Sequence, residues 1–372
     1  REREWSPTVL ILRKASENTF LSRFSGALER MGATVDDFTY TRALTRRYDV
    51  LHLHWPDSHL MSGSFAGSAF KHARLALLAA LLRYRGTRVV WMLHNLQPHD
   101  RNHWLSRRLF ALWFPKACTH VIALTAFGLQ SARSLYPVLS RKHSAIIPHG
   151  HYRGAYARPS SKADCRDQLG LPRDRFTFLF FGSVRVYKNV PLLIEIFRSL
   201  EDRDVQLVIA GQPGHGISAD ELSQMGAGDD RISLKLEFIP DAAVPQYFGA
   251  ADAVVLPFDS ILNSGSVLLA LSFNRVVLAP SLGALPEIQA LVGEHWLHLY
   301  EGSLSPEMLT GLRKVVPPDD AEVDLAAFEW NSIADRTLEL YRRDVGGQPQ
   351  DDAVTRGASE EGSYERRAKE YF

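Results

Sequence analysis

The sequence predicts an α/β protein built from two parallel-sheet domains, and three observations carry that expectation. The chain has 372 residues, 45% hydrophobic and 23% charged; that length exceeds one ordinary core and suits two. Short β-rich runs alternate with helical patterns along nearly all of it, as strands and their crossover helices do in a doubly wound sheet. The composition breaks around 150–175, where Gly150, Gly154, Pro159, Ser160, Ser161, Gly170 and Pro172 cluster without apolar periodicity.

In the first half, 8–12 (TVLIL), 50–54 (VLHLH), 88–93 (RVVWML), 120–124 (HVIAL) and 145–147 read as strands. Near-continuous apolar runs of this kind suit sheets covered on both faces. Helical spacing marks 20–31, 68–84, 104–114 and 127–135. The second half repeats the rhythm, with strands at 177–181, 205–210, 253–256 and 276–279, and helices at 191–200, 244–249 and 267–273. Two Rossmann-like domains follow, 1–155 and 156–327. The tail, 346–372, is rich in Gly, Gln, Asp, Glu and Ser, and is expected to be disordered.

The net charge of +1 hides an asymmetry. Residues 1–155 hold 22 Lys and Arg against 9 Asp and Glu, a net of +13, and the remainder carries −12. A basic half predicts an anionic partner or surface, with scattered solvated charge as the plain alternative. The stretch 104–116, WLSRRLFALWFPK, reads either as a core helix or as a basic amphipathic helix on anionic lipid. Cys118 and Cys165 lie far apart and show no metal-ligand spacing, so a reducing compartment is expected. Residues 1–7 lack a signal peptide's apolar run, and the apolar stretch 75–82 falls short of the ~20 residues a spanning helix needs. The expectation is a cytoplasmic protein that can rest peripherally on the inner face of the cell membrane, with no nucleic-acid partner.

Two stretches carry chemistry in the second half. In 181–193, FGSVRVYKNVPLL, a buried strand ends at Gly182-Ser183, Arg185 and Lys188 follow, and a helix begins. Two cations beside a helix N-terminus, beyond a strand's carboxyl end, form a site for a diphosphate. In 252–287 a strand leads to Asn263-Ser264-Gly265-Ser266 at the start of a helix, then to another strand and Gly283-Ala284-Leu285-Pro286-Glu287. Asn263 or Ser264 can cap that helix while Gly265 admits an anion close to the backbone. An ordinary strand-to-helix loop and a plain N-cap are the bland readings of the two.

Taken in order, Gly-x-x-Arg-x-x-Lys, AADAVVLPF, NSGS, VVLAPSLGALPEI and FEWNSIADRTLELY resemble the C-terminal half of GT-B glycosyltransferases. The similarity is to those grouped with retaining family four and to bacterial exopolysaccharide mannosyltransferases, and it covers nearly all of 8–343. It implies two Rossmann-like domains whose sheets face across a cleft, with a helix at 328–343 returning to brace the first. It also implies that the second domain binds a nucleotide-diphosphate sugar, Arg185 and Lys188 contacting the diphosphate. The basic first domain would take a saccharide or lipid-linked acceptor, and no metal or other cofactor would be needed. One departure stands out. The family pattern places two Glu residues where this chain has Ile261 and Leu269, and only Asp259 or Asn263 is near enough to replace the first. Retention and inversion therefore both stay open.

Histidines gather at the expected strand ends of the first half. His52 and His54, at i and i+2, share one sheet face. His94 ends WMLH and opens a loop with Asn95, His99 and Asp100; His149, Gly150 and His151 lie near the domain boundary. Such positions suit acid–base chemistry or sugar binding, whereas the spacings fit no zinc pattern. For an inverting reaction, Asp100 or His94 is the expected base, with Asp57 third. A nucleotide-sugar epimerase of the same fold and a non-catalytic nucleotide-sugar binder are the alternatives.

Overall fold

The computed structural model describes residues 5–12, 18–62, 64–96 and 104–344. They form two compact units, one running to Gly150 and resuming at Ala327, the other spanning His151–Ala326. Each contains a six-stranded, wholly parallel sheet.

In the first unit the strands are β1 (Thr8–Ile11), β2 (Thr34–Asp37), β3 (Val50–His54), β4 (Arg88–Leu93), β5 (His120–Ala123) and β6 (His143–Ile146), ordered β2-β1-β3-β4-β5-β6. The helices are α1 (Thr19–Arg30), α2 (Tyr40–Thr45), α3 (Pro56–Leu60), α4 (Phe65–Tyr84), α5 (Trp104–Ala117) and α6 (Ala126–Leu135). Asn18 starts α1 by accepting from the amides of Phe20 and Leu21, and the helix buries Phe20, Leu21, Phe24 and Leu28. Phe110 and Phe114 of α5 pack edge-on to Trp91 of β4, with ring centroids 5.6 and 5.2 Å away. Trp113 Nε1 donates to His72 Nδ1 on α4 at 3.0 Å. Phe110 and Phe114 are therefore core, which favours the first of the two sequence readings of 104–116, while Leu112 stays exposed.

The second unit has β7 (Phe176–Phe181), β8 (Val205–Ala210), β9 (Ile232–Lys235), β10 (Ala253–Val255), β11 (Val276–Pro280) and β12 (Leu297–Tyr300), ordered β12-β11-β10-β7-β8-β9. Its helices are α7 (Lys162–Leu169), α8 (Val190–Arg198), α9 (Ala219–Gly226), α10 (Val244–Ala250), α11 (Gly265–Ser272), α12 (Leu285–Val292) and α13 (Pro306–Arg313). Asp252 anchors the base of this sheet. It accepts from Arg166 Nη2 at 2.6 Å, Lys162 Nζ at 2.8 Å and the Thr177 amide at 2.7 Å. Residues 151–155, expected with the first domain, pack with the second unit instead. The Tyr152 amide donates to Ser272 Oγ at 2.8 Å, and Arg153 Nη2 donates to Asn274 Oδ1 and the Val323 carbonyl, each at 2.7 Å.

After the second unit the chain returns as α14 (Trp330–Arg342), which belongs to the first. Trp330, Ile333, Leu338 and Tyr341 join the core containing Phe20 and Phe24. The expected disordered tail, 346–372, lies outside the described residues.

Candidate active site

The second sheet reverses its direction of growth between β7 and β10. Loops beyond the strand ends at such a switch point form the usual ligand crevice of open α/β sheets. Gly182 follows β7 with φ 115°, and Lys188 Nζ and Ser266 Oγ lie 3.3 and 3.6 Å from the point a Cβ there would occupy. The two sequence stretches thus meet at Gly182. Gly211, at the end of β8, allows this turn, because a Cβ on it would sit 2.1 Å from the Gly182 carbonyl oxygen.

Lys188 is 8% exposed, and among the described residues it forms no ion pair. Burial, aided by the neighbouring charge of Arg185, pulls its pKa down to about 8. Arg185 is exposed and lies along Gly214, and Ser183 is exposed beside it. Ser264 caps α11, its hydroxyl accepting from the Val267 amide at 3.2 Å, so Gly265 and Ser266 head the first turn. Half-buried Asn263 precedes them, and Glu287 sits in the first turn of α12. The Ala284 amide donates to the Leu262 carbonyl at 3.1 Å, which ties these two loops together. Asp259 accepts from Asn189 Nδ2 at 2.7 Å. Ile261 is buried, so its position carries packing.

In the first unit the switch falls between β1 and β3. His52 and His54 stack, with centroids 4.5 Å apart and planes at 2°. The Tyr341 hydroxyl is hydrogen-bonded to His52 Nδ1, and His54 Nδ1 shares a hydrogen bond with His94 Nε2 at 2.9 Å. Phe20 packs against His94 at 5.1 Å and His149 at 4.4 Å. His149 Nδ1 donates to the Gly150 carbonyl at 2.8 Å. Gly150 fits because a Cβ there would lie 2.4 Å from the Trp330 ring. His151 belongs to the second unit, where its Nδ1 accepts from the Arg153 amide at 3.2 Å.

Burial holds these imidazoles neutral. It pushes His52 down to about 3 and His149 to about 4, and takes His54 and His94 well below the usual range. A base of such low affinity accepts a proton poorly at neutral pH. His94 is therefore suited to hydrogen bonding and positioning. Asp57 lies in the first turn of α3. After burial, its charge is the next cause raising the Tyr136 hydroxyl to about 12, so it reaches the edge where Tyr136 donates to the Leu96 carbonyl. Half-buried Asn95 follows His94; His99 and Asp100 lie outside the described residues.

Trp55 has no counterpart in the sequence reading. It adopts the left-handed conformation, φ 44° and ψ 51°, directly before Pro56, and its indole stacks on His94 with centroids 4.1 Å apart. Bulky residues rarely occupy that region, and residues before proline favour extended backbone. Strain of this kind collects at functional sites. Its sequence signal is confined to a Trp-Pro pair at the end of a His-rich strand. Among the described residues no group of three or more His, Cys, Asp or Glu side chains is arranged to hold a metal ion.

The family model of group 1 glycosyl transferases matches residues 175–314. The chain is 33% identical over 311 residues to a GDP-mannose:glycolipid 4-beta-D-mannosyltransferase of Xanthomonas campestris pv. campestris, covering 83% of this chain and 84% of that protein. It is 26% identical over 208 residues to a D-inositol 3-phosphate glycosyltransferase of Mycobacterium avium, covering 50% of this chain and 46% of that one. Anabaena HepE, solved in complex with UDP and glucose, superposes with a TM-score of 0.59 at 17% identity, over 90% of this chain and 97% of its own. Sucrose-phosphate synthase from Thermosynechococcus elongatus gives 0.64 at 16%, over 91% and 98%. These structural likenesses identify the fold as GT-B. The relatives are transferases, which disfavours the epimerase and non-catalytic alternatives. The chain belongs to the group 1 glycosyl transferases and is an enzyme of nucleotide-sugar-dependent glycosyl transfer.

Proposed function

We propose that the chain transfers a mannosyl group from GDP-mannose to a glycolipid acceptor without a divalent metal. The donor binds the second unit, and the acceptor binds the first. The observation that carries the donor site is Lys188, a buried cation without a carboxylate partner among the described residues, beside Gly182 and the first turn of α11. An anion is what such a lysine lacks. Lys188, Arg185 and the α11 amides would stabilise the charge that develops on the departing diphosphate. Gly182, Ser183, Asn263, Ser264, Gly265, Ser266 and Glu287 would shape that donor site.

The linkage named for the Xanthomonas relative is β, and GDP-mannose carries an α-linked sugar, so the matching reaction inverts the anomeric carbon. A single displacement of that kind needs a base for the acceptor hydroxyl. Asp57 and Asp100 are the carboxylate candidates. His94, Asn95, His99, His149, Gly150 and His151 would then orient sugar rather than take its proton, and Ile261 and Leu269 cost nothing to a mechanism without a second displacement. Activity should be assayed with GDP- and UDP-sugars and a lipid-linked acceptor, with and without EDTA. Turnover of GDP-mannose in chelator to a β-linked product is expected. Alanine at Arg185 or Lys188 should weaken GDP binding by roughly 1.5–3 kcal/mol. Loss of turnover in EDTA, restored by Mg²⁺, would overturn the metal-free reading; preference for a UDP-sugar would overturn the donor.

A further inference from the structure

Trp55 ends the strand that carries the stacked histidines, and its ring does not follow that strand's alternation. Along 50–55, VLHLHW, His52 and His54 share one face, while Leu51, Leu53 and Trp55 fall to the other. Leu51 and Leu53 are buried. At Trp55 the backbone turns left-handed instead, with φ 44° and ψ 51°, and the indole swings over the histidines. Its ring centroid lies 4.1 Å from that of His94, with the planes at 20°, and 5.9 Å from that of His54. Core packing alone does not call for such a turn, since an aliphatic side chain on ordinary backbone fills a core position without strain.

The surroundings hold the indole as a rigid shelf. His94 behind it is fixed by the hydrogen bond it shares with His54 Nδ1 at 2.9 Å and by Phe20, edge-on at 5.1 Å. Burial keeps that imidazole uncharged, so it backs the indole as a flat neutral ring. Pro56 stiffens the chain directly after Trp55 and opens α3. Trp55 itself is only half-buried, and so are Asn95, next to His94, and Asp57, next to Pro56. An apolar ring face rimmed by hydrogen-bonding groups matches a pyranose, whose C–H face is apolar and whose edge carries hydroxyls. The segment 48–70 contains no Lys or Arg, so this loop suits an uncharged ring better than a nucleotide.

We infer that Trp55 is the platform on which the acceptor's sugar ring stacks, and that it selects a pyranose at that end of the reaction. The inference deepens the proposed function and rests on its reading that the acceptor binds the first unit. Asp57, two residues on in the first turn of α3, shares the platform's rigid mounting. The test uses the full chain labelled with fluorotryptophan. Of the resonances from its seven tryptophans, the one lost in Trp55→Phe belongs to Trp55. The methyl pyranosides of glucose, galactose and mannose are then added without donor. At least one should shift the Trp55 resonance saturably, and glycerol, a polyol without a ring, should not. Trp55→Phe should bind that pyranoside about threefold more weakly and Trp55→Gly at least about tenfold, with GDP affinity unchanged in both. Glycine takes a positive φ without strain, so Trp55→Gly should hold its Tm within a few degrees of wild type. Trp55→Phe keeps a ring and carries the comparison if the glycine variant fails to fold. A Trp55 resonance that no pyranoside moves, or that glycerol moves equally, would overturn the inference. So would a fall in Tm with pyranoside affinity kept, which would make Trp55 a packing residue. The fluorine measurement needs neither donor nor lipid, so it can fail while transfer to a glycolipid succeeds, and succeed while that transfer fails.

Discussion

Lys188 lies where water scarcely reaches, and that makes the proposed donor site sensitive to pH. Its pKa in the folded chain is about 8, against ~10.4 for an unperturbed lysine. Between those values the unfolded chain keeps a proton that the folded one has released, so stability rises with pH from about 8 upward. Binding runs the other way. A diphosphate favours the charged lysine, so GDP affinity should fall as pH climbs past about 8, by up to about tenfold per unit. Calorimetric titration should show that slope together with proton uptake on binding, and Lys188→Arg should flatten it because guanidinium stays charged. A wild-type affinity that is level from about pH 7 to about 9.5 would remove Lys188 from the anion site. This residue was legible in the sequence because strand, glycine, cations and helix follow one another locally. Trp55 was not, since its strain exists only in φ and ψ. His94 was legible as a site position but not in its chemistry, because its low pKa comes from burial, with the charges of His149 and His52 adding to it, and the fold brings those surroundings from elsewhere.

At the scale of elements, the central strands announced themselves and, apart from β6, the edges did not. β3, β4, β7 and β8 are apolar runs buried almost throughout. The strands absent from the sequence reading, β2, β9 and β12, are all sheet edges. An edge is covered incompletely, so TVDD, ISLK and LHLY lack the continuous apolar signal. The helix α14 was expected at 328–343 from resemblance alone; its reason is now physical. Trp330 lies over Gly150, and Tyr341 reaches across the core to His52. Gly150→Ala should push a methyl into the indole and destabilise the first unit by about 1–3 kcal/mol. Tyr341→Phe strips a buried imidazole of its partner and should cost about 1–3 kcal/mol. Both should lower Tm by several degrees while donor affinity, on the proposal that the donor binds the other unit, stays near wild type. Wild-type Tm in both variants would mean that α14 is not docked through these two contacts.

On the scale of the whole molecule, the two parts of the chain carry opposite charge. Residues 1–155 bear a net of +13 and the rest −12, yet the anion site proposed for the donor lies in the acidic part. A nucleotide diphosphate drawn by overall charge alone would go to the first unit; one drawn by Lys188, Arg185 and the α11 amides goes to the second. Hydrogen exchange of the full chain separates these outcomes. GDP at about 100 times its dissociation constant should add roughly 2.7 kcal/mol of stability if it binds only the folded state. Beyond that global effect, local protection should concentrate on the Gly182–Asn189 and Asn263–Val267 amides, which line the proposed donor site. The loops after β3 and β4, with Trp55, Asp57 and His94, should keep their exchange rates until an acceptor is added. Raised salt should weaken GDP binding only modestly, since a buried lysine is screened far less than surface charge. Protection by GDP alone at Trp55 and His94, with steep salt dependence, would move the donor to the basic unit and leave Lys188 as a structural lysine.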